Sequence, residues 1–243
     1  MNMYASFDYL CNEPFYLNGI GHAVCPTLRD IRKITYQLFS LYLSLLSMSR
    51  EEYLRLYGLP ESCDDSLYHL LLYGNTQLLF GILSFFLTGQ LEFEKETGCF
   101  AIYETADGGG QTLAGHIGED NFEEFRLEMQ HILGIKKPEA TGPKFKNSLA
   151  QNLFQKMQKH TEQLKQKADK NFELDNMVRK YCTNNKVGIS ILNVWDMTYY
   201  QFTCMFAEYC NARQCDFNDN MAANTFSYKK SSDYQPMEYM KRI

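Results

Sequence analysis

Signatures of catalysis are missing from this chain. None of its eight cysteines forms a Cys-x-x-Cys pair, and Cys204, Cys210 and Cys215 have neither zinc-site spacing nor a histidine pair nearby. The five histidines, at 22, 69, 116, 131 and 160, fall in separate segments without an i, i+4 partner or a His-Glu-x-x-His context. Gly-x-Ser-x-Gly and Gly-x-Gly-x-x-Gly are absent, which removes the nucleophile elbow and the dinucleotide fingerprint. The run Gly108-Gly109-Gly110 lacks the following Lys-Ser or Lys-Thr that would hold phosphate and metal, so it reads as a turn. Carboxylate pairs such as Glu51-Glu52, Asp64-Asp65 and Glu123-Glu124 are adjacent in sequence. Neighbours on a helix point about 100° apart and cannot flank one substrate bond. One polar grouping stays open: His116 and His131 could approach across a strand-helix unit, with Glu119 and Glu123 nearby. No catalytic residue, cofactor ligand or metal ligand is expected.

Other absences bound the class. Met1 to Leu10 has no charged start followed by an apolar run, so no secretory leader is expected, and the thiols read as reduced and cytoplasmic. A formal charge of −5 argues against nucleic acid as the main partner. The apolar stretch Leu70 to Leu87 is cut by Gly74-Asn75-Thr76-Gln77, short of the about 20 residues that span a bilayer. It reads as core rather than membrane.

What remains is a chain of 243 residues, long enough for a substantial core, with 45% hydrophobic and 22% charged residues, which argues against wholesale disorder. The expected class is mainly α (α+β). Tyr4 to Tyr9 and Phe15 to Leu17 read as short strands, with Asn18-Gly19 as a hairpin turn. Thr27 and Asp30 fit a capping box. Ile31, Ile34, Leu38, Leu41, Leu45 and Met48 then step by three and four, predicting one long helix over 28–47. Ser49 and Glu52 start a second helix that stops at Gly58, and helices follow at 64–73 and 76–88. Residues 91–117 predict a small antiparallel β element. Asn121 with Glu124 opens a helix that ends at Gly134.

Lys136 to Lys146, with Pro138, Gly142 and Pro143, is the expected linker between a 1–135 domain and a helical 147–243 region packing back on it. Asn147 to Thr183 reads as a helix whose apolar stripe, Leu149, Leu153, Met157, Leu164 and Ala168, is narrow on a Lys- and Gln-rich surface. Such a helix is either a solvated connector or one completed by a partner. Trp195, Tyr199, Phe202, Phe206 and Tyr209 predict an aromatic face on one further helix, with Thr198 and Gln201 as its capping box and Trp195 as its anchor.

Three of these segments carry a resemblance. Pro26-Thr27-Leu28-Arg29-Asp30-Ile31, Asn121-Phe122-Glu123-Glu124-Phe125-Arg126 and Trp195-Asp196-Met197-Thr198-Tyr199-Tyr200-Gln201-Phe202 resemble motifs of small proteins encoded in the tail-gene modules of Firmicutes siphophages and prophages. The end departs from that pattern: Tyr239 or Met240 stands where the family carries a Trp before its terminal Ile, here Ile243. The resemblance implies a protein of tail morphogenesis, an assembly chaperone shielding the tape-measure protein in the host cytoplasm, without cofactor or metal. On that reading Leu149, Leu153, Met157 and Leu164 are the partner-binding contacts, and homo-oligomerisation is compatible with it. A structural tail or connector component, and an enzyme or host-interacting factor, are the alternatives.

Overall fold

In a computed structural model, residues 4–60, 62–105, 109–135 and 173–223 are described. The chain divides into two compact units, one comprising 1–137 with 195–201 and the other 138–194 with 202–243. The fold is α+β and mainly helical, with seven α-helices and two small antiparallel sheets among the described residues. The linker expected at 136–146 lies outside the described residues.

The first unit opens with a correction. Tyr4 to Tyr9 is not a strand, because the Asp8 carboxylate accepts the Ala5 N–H at 2.7 Å and curls the chain into a 3-10 turn over Asp8–Leu10. The hairpin forms as expected: β1 (Phe15–Leu17) pairs with β2 (Gly21–Ala23) around Gly19, whose φ of 73° suits glycine. The Thr27 capping box closes as predicted, with Asp30 N–H on Thr27 Oγ1 at 3.1 Å.

The single helix expected over 28–47 is two helices, α1 (Leu28–Ile34) and α2 (Tyr36–Ser47). Between them Thr35 takes φ 76° and ψ 146°, ending one helix and capping the next through its hydroxyl. The break resets the helical phase. Phe39, Tyr42, Leu45 and Leu46 are buried, whereas Leu41 of the expected stripe is 42% exposed. Ser49 caps α3 (Arg50–Tyr57), and Gly58, left-handed at φ 66°, ends it.

The apolar helix α4 (Leu67–Phe86) is kinked where the sequence is cut, at Asn75, whose carboxamide oxygen accepts the Leu78 N–H and restarts the helix. By length and composition alone α4 could cross a membrane, yet it buries Leu67, Tyr68, Leu70, Leu71, Leu72, Leu79, Ile82, Leu83 and Phe86 within the unit. It leads into the antiparallel sheet β3 (Gln90–Glu94), β4 (Cys99–Thr105) and β5 (Gln111–Ile117), in that order. The core fills with Phe86, Phe100, Ile102, Ile117, Phe125 and Met129.

Helix α5 (Phe122–Ile132) starts and stops as expected, but Asn121 does not cap it. The Asn121 side chain spans backward instead, accepting from Gly118 N and donating to the His116 carbonyl. The α5 residues Arg126 and Gln130 hold the end of α2. Arg126 donates to the Leu46 and Met48 carbonyls at 3.1 Å while forking onto Glu123, and Gln130 donates to the Leu46 carbonyl. Helix C-termini leave carbonyls without intrahelical donors, and here a second helix supplies them.

In the second unit, α6 is described over Leu174–Asn184, the only part of the helix expected over 147–183 that lies among the described residues. Helix α7 (Tyr199–Ala223) has its first turn in the first unit and the remainder in the second.

Candidate functional site

Leu149, Leu153, Met157 and Leu164, the contacts expected from the tail-module resemblance, lie outside the described residues. The site is therefore built from the described part of the same unit. Val178 and Tyr181 of α6 are buried, and the Tyr181 ring meets Phe202 at 5.9 Å and Tyr209 at 5.8 Å, both nearly perpendicular. Edge-to-face pairs of this kind add about 0.5–1.5 kcal/mol beyond the buried area. Phe206 stacks beside Phe202. The Tyr181 hydroxyl is buried without a hydrogen-bond partner, and burial pushes its pKa up. The predicted aromatic face thus holds for Phe202, Phe206 and Tyr209, whereas the Tyr199 ring meets Phe39 within the first unit. Trp195 is not on it: it lies in a 3-10 turn over Val194–Asp196, before the helix begins.

A fixed loop follows α6. Asn185 donates to the Tyr181 and Ile189 carbonyls, while its oxygen accepts from Val187 N and Ile189 N at 3.1 Å. Asn193 accepts from Ser190 N at 2.7 Å and donates to the Gly188 carbonyl. Two carboxamides tie both ends of the loop, and Gly188 supplies a left-handed turn at φ 79°. Held this way, Val187 is 61% exposed, Ile191 49% and Leu192 84%. Beside the loop is a cleft of about 320 Å³, lined by Tyr181, Lys186, Met205, Tyr209 and Arg213 among others, with Lys186 and Asp216 paired at 3.6 Å. Apolar side chains exposed on a rigid loop next to a cleft are the chemistry of protein contact.

Two of the three resemblance motifs meet within the first unit. Thr27 and Thr198, the caps of α1 and α7, form an antiparallel bridge: Leu28 N donates to the Met197 carbonyl and Tyr199 N to the Pro26 carbonyl. Arg29 forks onto Asp196 beside them, and Thr198 and Gln201 close the expected box. These motifs are structural fasteners.

The histidine grouping does not form. His116 pairs with Asp120 at 3.3 Å, His69 with Glu119 at 3.5 Å, and Glu123 with Arg126, while the His131 ring lies against Tyr9. No group of three metal-ligating side chains occurs among the described residues. The pair that sequence reading missed is His22 with Glu104, 82 positions apart and in contact at 2.8 Å. No local spacing signals it.

A family model described as the YomV second domain matches residues 165–243, less than half of the chain. Comparison with curated proteins and with solved structures found no match. YomV belongs to a Bacillus prophage region, so the span 165–243, which includes the fixed loop and the cleft, is similar to a domain of phage derivation.

Proposed function

We propose that this chain acts in phage tail morphogenesis as a non-catalytic assembly chaperone that binds the tape-measure protein in the host cytoplasm. The observation that carries the reading is the apolar loop of Val187, Ile191 and Leu192, held outward inside the span similar to a phage-derived domain. A chaperone of this kind needs no reacting groups. It needs a stable body and an apolar surface that takes up a helical client, as in helix-in-groove recognition. On the tail-module resemblance, Leu149, Leu153, Met157 and Leu164 are further contacts with the client.

Pull-down of the tape-measure protein from the same phage tests this. The wild-type chain captures it, and the double substitution Val187→Glu with Leu192→Glu abolishes capture while leaving the circular dichroism spectrum unchanged. Undiminished capture by that variant and by Leu149→Glu with Leu153→Glu rejects the surface. Mass spectrometry of purified virions separates the roles: a chaperone is absent from the particle, a tail or connector component is present.

A further inference from the structure

A segment from late in the chain is built into the first unit. Trp195–Gln201 belongs to that unit, whereas the residues on either side of it belong to the second. Backbone and side chains hold it together. Leu28 N donates to the Met197 carbonyl at 3.0 Å, and Tyr199 N to the Pro26 carbonyl at 2.8 Å. Arg29 forks onto Asp196 at 2.6 and 3.1 Å, and the Tyr200 hydroxyl donates to the Ser6 carbonyl at 3.3 Å. The Tyr199 ring lies edge-on to Phe39 at 5.2 Å, and the Tyr200 ring edge-on to Tyr9 at 5.5 Å. Thr198, at the centre, is fully buried.

Gln201 ties this docking to the helix that follows. Its carboxamide oxygen accepts from Thr198 N at 2.9 Å, half of the box that starts α7, while its nitrogen donates to the Leu10 carbonyl at 2.8 Å. The start of α7 is thus fixed on the first unit, and a helix is hard to nucleate but readily extended from a fixed turn. The next residue, Phe202, is fully buried and meets Tyr181 at 5.9 Å, the first of the aromatic contacts that join α6 and α7 in the second unit. The span similar to the YomV second domain, 165–243, includes the segment but not Ser6, Leu10, Pro26, Leu28 or Arg29, which hold it.

We infer that Trp195–Gln201 is a strap through which the first unit sets the stability of the aromatic packing between α6 and α7, so that the span similar to the YomV second domain is not self-contained in this chain. Docked, the strap holds the first turn of α7 and delivers Phe202 to Tyr181. Released, Gln201 loses the Leu10 carbonyl that fixes its carboxamide in the box. The first turn then frays, and the loss passes along the helix to Phe206 and Tyr209. This coupling runs through the continuous backbone of one helix and involves no client, so it stands apart from the chaperone reading.

Urea titration of the full chain with pulsed thiol labelling, read by mass spectrometry, tests the strap. Cys25 and Cys215 are buried free thiols, one in each unit. The wild-type chain exposes both at one midpoint. Arg126→Met, a change confined to the first unit, lowers the Cys215 midpoint together with that of Cys25, by roughly 0.5–1 M urea. Loosening the strap with Arg29→Ala and Gln201→Ala lowers the Cys215 midpoint below that of the wild type and makes it indifferent to Arg126→Met. The wild-type and Arg126→Met comparison needs no strap variant, and if the double variant fails to fold, Arg29→Ala alone carries the second comparison. Separate midpoints in the wild type, a Cys215 midpoint that ignores Arg126→Met there, or one that still follows it once the strap is loosened overturns the inference.

Discussion

Glu128 is the residue whose chemistry sits worst with its surroundings. It is 5% exposed, one carboxyl oxygen has no hydrogen-bond partner, and burial raises its pKa. A carboxyl raised in the fold favours the protonated form, so its penalty is absent below the unfolded value and grows as pH rises through the folded one. Glu128→Gln therefore raises the melting temperature at pH 7, and the advantage over wild type vanishes near pH 4. A constant difference across that range would contradict the assignment. Thr35 is the other strained residue, with its φ of 76° in the region that favours glycine. Thr35→Gly relieves that strain and loses only a long cap bond of 3.4 Å. The expected gain is about 1 kcal/mol, or roughly 2–4 °C for a chain of this size, read by thermal melting.

Elements in this protein are started by their own sequence and held by distant ones. Thr27 with Asp30, Ser49 with Glu52, Thr198 with Gln201, and the Asn18-Gly19 turn were legible because a cap or turn is a contract among residues three or four apart. The break at Thr35 was not legible. A three-four stripe runs through it without interruption, and neither glycine nor proline marks the spot. Nor could sequence reveal that α5 caps α2, since Arg126 and Gln130 look like ordinary surface residues until the two helices pack. Arg126→Met is expected to cost about 1–3 kcal/mol, because it leaves the part-buried Met48 carbonyl without its donor and the Leu46 carbonyl with Gln130 alone. Denaturant unfolding measures the loss; a change within error would mean that water replaces the guanidinium there.

Across the molecule, the chemistry divides between the units. The first holds the sheet, the paired caps of α1 and α7 and the His22–Glu104 contact, whose partners lie too far apart in sequence for spacing to betray them. The second holds the loop of Val187, Ile191 and Leu192 in the span similar to a phage-derived domain. Its aromatic packing could be anticipated from helical periodicity, but the exposure of the loop depends on Asn185 and Asn193 folding back on the backbone. The proposal of a client-binding, non-catalytic phage protein rests on that loop. Co-expression with the tape-measure protein, followed by size-exclusion chromatography of the soluble fraction, tests it most directly. The account predicts a soluble complex with the wild-type chain and an insoluble client with the Val187→Glu, Leu192→Glu variant. A client that stays insoluble with the wild type, or is kept soluble equally by both, would contradict it.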